Sequence, residues 1–549
     1  MNRSRLSLPS HTLLALGVAW SALSGAATAQ PAVAPLLAQA PSQTLPQAQA
    51  PSAATFDLRA VTFNGAVEIS QAELATLARP YIGHAVTLSD LEQLAKNVSE
   101  LYHARGYFLA QALVPVQTVR DGAVEISVIE GKLNRIEINV AEDAPISAAR
   151  ARAFLAALKP GEALNAKRYE RVMLLLSDQP GIKVASGLQQ GIEPGTSDLV
   201  VEITAGRRWS FAADTDNFGT KEAGRVRVGG TARLNSPLGI GDNLDARLMI
   251  SQSNALNLGR LSYEAPLNAD GLRLGLGLSR VRYELGGAFE VLGATGTAQV
   301  FDASFNYPLI RQRNQNLFLR GGVEYKNLED NLALFEYDSS KRVQNVNAGW
   351  AWERRDSLLG GGYWASSGTL YQGNLSLRDE LTQFSDQGAL GHHSAGSFSK
   401  LSMQVSRLQS LAARHSLYLV LGGQWANSNL DASEKLALGG SRAVRAMPSN
   451  ELLINDGLAT SAEWRWSATD DLTPYLFYDA GRGNIWHSPL ISDGENTRSM
   501  QGYGLGATWS RPGNFSLNLA LAWRSGNTAA PASDHDFSPR ISFQAQKLF

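Results

Sequence analysis

From Trp209 to Phe549, 341 residues, the chain shows no helical period. Apolar residues alternate with small or polar ones, in segments of eight to eleven separated by Asn/Asp/Gly/Ser turns. Leu272–Leu278 (LRLGLGL), Leu417–Val420 and Phe515–Trp523 (FSLNLALAW) are examples. A period of two puts one apolar face on every strand, and repetition over such a length is the pattern of an outer-membrane barrel. Lipid cannot satisfy an open sheet edge, so the sheet must close. At about 21 residues per strand and connection, the length predicts about 16 antiparallel strands, a size that leaves an aqueous lumen. Trp350, Trp352, Tyr363, Trp364, Trp464, Trp466 and Trp486 are candidates for interfacial girdles. A soluble sandwich or propeller would also alternate, but no blade repeat is evident and the chain stops on Phe.

Composition narrows the class. Lys+Arg 49 against Asp+Glu 50 leaves no basic excess for nucleic acid. Without cysteine there is no disulfide framework, thiolate nucleophile or Cys-ligated metal. Met1–Ala29 reads as an export signal: Arg3 and Arg5, an apolar run from Leu13 to Trp20, then Ala27-Thr28-Ala29. Residues 30–54 carry five prolines and no charge, which reads as an extended tether.

Between these regions the sequence reads as two copies of one small α+β module, 56–131 and 132–206. In the first, Phe56–Phe63 alternates like a strand, and Ser70-x-x-Glu73 and Ser89-x-x-Glu92 read as capping boxes for two helices. Leu91, Leu94, Ala95, Val98, Leu101 and Tyr102 form a 3.6-period stripe. Phe108–Val116 and Val124–Ile129 read as strands turning at Asp121-Gly122. The second copy predicts strands at 136–140, 182–189 and 198–204 and helices at 147–157 and 166–177. Exposed strand edges in such modules accept extended peptides, and a rigid spacer is the competing reading.

Two modules and a barrel of this kind resemble the two-partner secretion transporters, the ShlB/FhaC/HecB (TpsB) family of the BamA-related superfamily, whose periplasmic modules are POTRA domains. In the first module the resemblance rests on Leu101-Tyr102, Gly106-Tyr107, Leu109-Ala110, Val114-Pro115, Gln117, Gly122, Val124, Ile126 and Val128-Ile129-Glu130-Gly131. In the barrel it rests on Asp216-Asn217-x-Gly219, Tyr307-Pro308-Leu309-x-Arg311, Lys326-x-Leu328-x-Asp330, Ser433–Leu438 through Val444-Arg445, and Phe477-Tyr478-Asp479-x-Gly481. The resemblance implies a transmembrane β-barrel spanning 207–549, with an inserted loop around 433–456 folded into it. It implies a lock of Arg445 on Asp479 beside Phe477, and a substrate-binding set of Tyr102, Gly106, Tyr107, Pro115, Gln117, Glu130 and Gly131. It implies Phe549 as assembly signal, read by the barrel-assembly machinery. The partners implied are a secreted TpsA-type exoprotein and outer-membrane lipid. The family's tip continues Val-Arg-Gly-aromatic, whereas this chain has Ala446-Met447. The stretch 30–54 is too short and Pro-rich for the family's plug helix and linker.

No catalytic set, metal site or cofactor is expected. His392-His393 lies in a Gly/Ser loop, and adjacent histidines rarely share a metal. Gly502-x-Gly504-x-Gly506 has no following helix to cradle a phosphate, so close packing is expected there. The function implied is export of an unfolded exoprotein captured in the periplasm, with activation of a haemolysin- or adhesin-like cargo as an extension. A barrel-assembly factor and a passive porin are the alternatives; the former's relatives usually carry more than two POTRA modules.

Overall fold

The computed structural model describes residues 54–531, 534 and 537–549. The export signal, all but the last residue of the Pro-rich stretch, and any plug lie outside the described residues. Two compact units divide between Gly206 and Arg207.

In the amino-terminal unit each module packs two helices on a three-stranded sheet. The first sheet has the order Ala60–Asn64, Ala123–Ile129, Gln111–Leu113, and the second Lys132–Val140, Thr196–Ala205, Ile182–Gln190. Each pairs its first strand parallel to the centre and the third antiparallel. In the first module the helix Leu88–Ala104 buries Leu91, Leu94, Ala95, Val98 and Tyr102. Facing Phe63, Leu74, Ile126 and Val128, that stripe forms the core. The expected turn is present: Asp121 (φ 52°) and Gly122 (φ 71°) are both left-handed, as a tight hairpin turn requires.

Three local expectations are corrected. The long helix is capped by Thr87, whose hydroxyl accepts from Asp90 N while Asp90 accepts from Thr87 N, so Ser89 lies inside it. Phe56–Phe63 is not one strand: Phe56–Asp57 pairs with Ala85–Val86, and Ala60–Asn64 joins the main sheet. Of Phe108–Val116 only Gln111–Leu113 is strand.

The carboxy-terminal unit is a closed antiparallel barrel of 16 strands, beginning at Trp209–Asp216 and closing on Arg540–Leu548. Period two places Leu276 and Leu278 outward and Val281 and Tyr283 inward on one strand, Arg273–Glu284. On the inner face, charges are paired across strands: Arg227 with Asp216 at 2.8 Å, Arg247 with Asp214 at 3.0 Å, Arg260 with Asp302 at 2.9 Å. An interior of this kind is polar, while the outer face is apolar.

Two girdle candidates fail. Tyr363 turns inward and donates to Glu353. It precedes Trp364 on one strand, and neighbours on a strand face opposite ways. Trp486 lies in a loop, stacked on His392 at 3.7 Å with the Lys435 ammonium 3.0 Å from its ring centroid. Trp464 and Trp466 are exposed on the outer face.

Candidate functional site

Residues 427–455 connect the strands His415–Ala426 and Asp456–Trp466 and fold back into the barrel. The loop is organised at its neck by Asn455, which is fully buried. Its side chain accepts from Leu430 N at 2.9 Å and donates to Ser428 O at 2.6 Å. A short hairpin, Leu436–Ala437 with Leu453–Ile454, carries the chain to the tip.

At the tip Arg445 meets the strand Leu472–Asn484. Its Nε donates to Asp479 Oδ2 at 2.8 Å, Nη2 to Asp479 Oδ1 at 2.7 Å, and its backbone N to Oδ2 at 3.1 Å. The remaining Nη1 donates to Glu463 Oε1 at 2.7 Å, and Nη2 also reaches Ser461 Oγ at 2.9 Å. Ser461 in turn donates to Asp479 at 2.8 Å. The guanidinium plane covers the Phe477 ring, 3.5 Å from its centroid. Asp479 is wholly buried, so the forked pair is shielded from water and directional. Arg445, Asp479 and Phe477, three residues named from sequence, thus meet at one point. Glu463 and Ser461 complete the site, and neither carries a sequence signal.

The Gly502-Gly504-Gly506 stripe makes room for this arrangement. A Cβ at Gly502 would come within 2.6 Å of the Ala446 methyl, at Gly504 within 2.4 Å of the Phe477 ring, and at Gly506 within 2.4 Å of Tyr475. Ala446 is not among the residues with positive φ and is buried with Met447 against Phe477 and Met500. The departure from the family's glycine therefore needs no left-handed backbone, and its methyl fills space that Gly502 leaves. Gly504→Val is expected to press on both the Leu521 carbonyl, 2.1 Å from such a Cβ, and the Phe477 ring, and to cost about 1–3 kcal/mol through overpacking. The heat-induced gel shift of the folded barrel would move to lower temperature, and an unchanged shift would contradict the packing argument.

A second anchor holds the neck. Glu434 accepts from Lys326 Nζ at 2.8 Å and from Lys400 Nζ at 2.7 Å, and its carbonyl accepts from Gln424 Nε2 at 3.1 Å. Beside it, Asp431 accepts from Lys341 at 2.9 Å. The loop is thus pinned to several walls of the barrel. In the sequence Lys326 and Glu434 stand in separate motifs, with nothing that pairs them.

Of the seven residues named in the first module, Tyr102, Tyr107 and Glu130 meet at one place, Pro115 and Gln117 lie beside Glu125, and Gly106 and Gly131 contact the second module. Tyr102, with no exposed surface, donates to Glu130 Oε1 at 2.9 Å, and that oxygen also accepts from Val67 N and Glu68 N at 2.7 Å. Tyr107 packs edge-on against Tyr102 and donates to Glu68 at 2.6 Å. Burial and the adjacent Glu130 carboxylate raise the Tyr102 phenol well above its ordinary range, so it remains a donor. Gln117 bonds both backbone groups of Glu125, beside half-buried Pro115. The Gly106 carbonyl accepts from Ala166 N at 2.8 Å and the Gly131 carbonyl from Leu164 N at 3.3 Å, tying the first module to the second. As a direct contact surface for cargo, Tyr102 and Glu130 are corrected: buried side chains cannot touch a passing peptide. Phe549, exposed at the end of the last strand, donates its backbone N to Phe211 O at 2.9 Å.

Comparison with known proteins gives this geometry its context. The family described as haemolysin secretion/activation protein ShlB/FhaC/HecB matches residues 195–508. The chain belongs to this family. A ShlB-type POTRA domain matches 56–131. The heme/hemopexin transporter protein HuxB of Haemophilus influenzae is 26% identical over 478 residues, 86% of this chain and 83% of its own. The hemolysin transporter protein ShlB of Serratia marcescens is 24% identical, covering 92% and 88%. Among solved structures, CdiB from Escherichia coli superposes with TM-score 0.72 at 20% identity, covering 92% and 93%. BamA from Haemophilus ducreyi reaches 0.53 at 13% identity, covering 90% and 100%, a likeness of fold alone. The transporter is therefore an outer-membrane two-partner secretion pore with periplasmic POTRA modules, of a family that works with secreted TpsA-type exoproteins.

Proposed function

We propose that this pore takes hold of its unfolded exoprotein by strand addition at the second module and passes it along a lumen whose loop is held by the Arg445–Asp479 lock. One observation carries the capture step. The strand Ile182–Gln190 pairs on one side only, with Thr196–Ala205, and most of its nine residues are exposed. Its other edge carries no strand among the described residues. An extended chain docks on such an edge by backbone hydrogen bonds whatever its sequence, which suits an unfolded cargo. The first module offers less: its edge strands, Ala60–Asn64 and Gln111–Leu113, have five and three residues, and Ala112 N already donates to Ser99 Oγ at 2.9 Å. The backbone bonds from Ala166 to Gly106 and from Leu164 to Gly131 then hold the two modules in register, while the Tyr102–Glu130 pair braces the first. The relative named for hemolysin transport supports a haemolysin-like cargo.

A photo-crosslinking residue at Ala185 is expected to trap the exoprotein during export, whereas one at Lys96, exposed on the first module, is not. Ser186→Pro, which removes an N–H that the register turns toward the open edge, should lower secretion about tenfold or more while the barrel assembles normally. Crosslinks from Lys96 alone would move the capture site. On depletion, loss of one large secreted protein supports export, and broad loss of barrels would support an assembly role instead.

A further inference from the structure

Among the described residues the outer face of the barrel is largely apolar, with single outward arginines such as Arg354 and Arg482, and on one strand two follow in succession. On the strand Arg273–Glu284 the outward residues run Leu276, Leu278, Arg280, Arg282, so two guanidinium groups follow directly on the apolar run. Both are exposed, and neither has a hydrogen-bond or ion-pair partner among the described residues. Strand register fixes their neighbours. Arg280 lies beside Gly259 and Gln299, and Arg282 beside Asn257 and Thr297. One strand further, Leu248 and Ile250 occupy the same two rows, exposed and apolar. Next to Arg280 the surface dips, because a Cβ at Gly259 would meet only Leu248 Cδ2, at 3.7 Å. Below, Leu278 pairs with Phe301, which edges a groove of about 490 Å³ walled by Val323, Tyr325 and Val346. Arg342, over the Tyr325 ring at 5.1 Å, stands above that groove. The outward acids here are Glu284, two residues beyond Arg282, and Glu329, two strands away in its row; neither pairs with Arg280 or Arg282.

The side of the membrane follows from connectivity. The periplasmic modules lead straight into the first strand, so Arg273–Glu284, the fifth, runs outward and ends at the cell surface. Trp464 and Trp466, at the end of an inward-running strand, lie at the opposite, periplasmic border.

The geometry points to a binding patch for a phosphorylated glycolipid of the outer leaflet. Its phosphate is forked by Arg280 and Arg282 and its acyl chains lie over Leu276, Leu278 and Phe301. A guanidinium at the edge of hydrocarbon loses water, and a phosphate restores the loss with paired, charge-assisted hydrogen bonds. Leu248 and Ile250 in the same rows fit a ligand that carries its anion directly on an apolar body, rather than a soluble anion.

The test uses the full-length protein, delipidated in detergent and incubated with bisphosphorylated lipid A, with retained lipid read by native mass spectrometry. The wild type is expected to retain it, and Arg280→Gln/Arg282→Gln to retain about tenfold less with its heat-modifiable fold intact. Arg354→Gln, on the periplasmic side, should retain as much as the wild type. Dephosphorylated lipid A should be lost like lipid on the double variant. Equal retention by the double variant, equal retention of the dephosphorylated lipid, or full displacement by excess inorganic phosphate would each overturn the proposal.

Discussion

Asp479→Ala is expected to free the loop tip and to cut export of the exoprotein by an order of magnitude or more. The carboxylate has no exposed surface and accepts four hydrogen bonds, three from Arg445 and one from Ser461. Removing it leaves a guanidinium that is only 10% exposed with Glu463 as its one remaining anion. Breaking a buried pair from one side costs about 3–5 kcal/mol, because the surviving charge stays desolvated. That shifts the bound population of the tip by about a hundredfold or more. Planar-bilayer currents should become larger and noisier as the tip leaves the wall. Arg445→Lys should behave almost as badly, since an ammonium cannot fork the carboxylate and cover the Phe477 ring together. The double variant Arg445→Ala/Asp479→Ala should be less impaired than the sum of the single changes, because no charge is stranded. Normal secretion and quiet currents from a correctly assembled Asp479→Ala barrel would remove the lock from the mechanism.

The barrel was legible because lipid imposes the period. A strand with lipid on one side and water on the other must alternate, and 341 residues of alternation allow closure at 16 strands. The modules were legible for the same reason at a different period, as the stripe from Leu91 to Tyr102 became one buried helix face. The lock was legible only through the words around Arg445 and Asp479. Nothing in a linear chain announces that Glu463 and Ser461 face the same point, because that depends on strand register. Lys326 and Glu434 stand 108 positions apart, and their pairing appears only once the loop is folded inward. Elsewhere the signal was present but misweighed. Tyr363 and Trp364 are adjacent on a strand, so only one of them can face lipid. Thr87 and Ser89 each precede an acid by three residues, and the structure uses the earlier pair, which starts the helix two residues sooner.

Glu434→Ala should release the neck of the loop where Asp479→Ala releases its tip, and the two defects are separable. Glu434 is 2% exposed and lies between Lys326, 3% exposed, and Lys400, 9% exposed. Without it Lys326 keeps Glu324 at 3.1 Å, while Lys400 loses the carboxylate oxygen at 2.7 Å. A loss of about 3–5 kcal/mol is again the expected scale. Glu434→Gln should cost less, since the amide oxygen still accepts one ammonium and the backbone carbonyl keeps its bond from Gln424. The strands flanking the loop, His415–Ala426 and Asp456–Trp466, meet it at the cell surface, so a freed neck opens toward the outside. Protease added to intact cells should therefore cut Glu434→Ala near residues 433–440 and spare both the wild type and Asp479→Ala, whose necks remain pinned by Glu434 and Asp431. If Asp479→Ala were cut at the same sites and as fast, neck and tip would be one cooperative unit, and the two anchors would have to be described as a single latch.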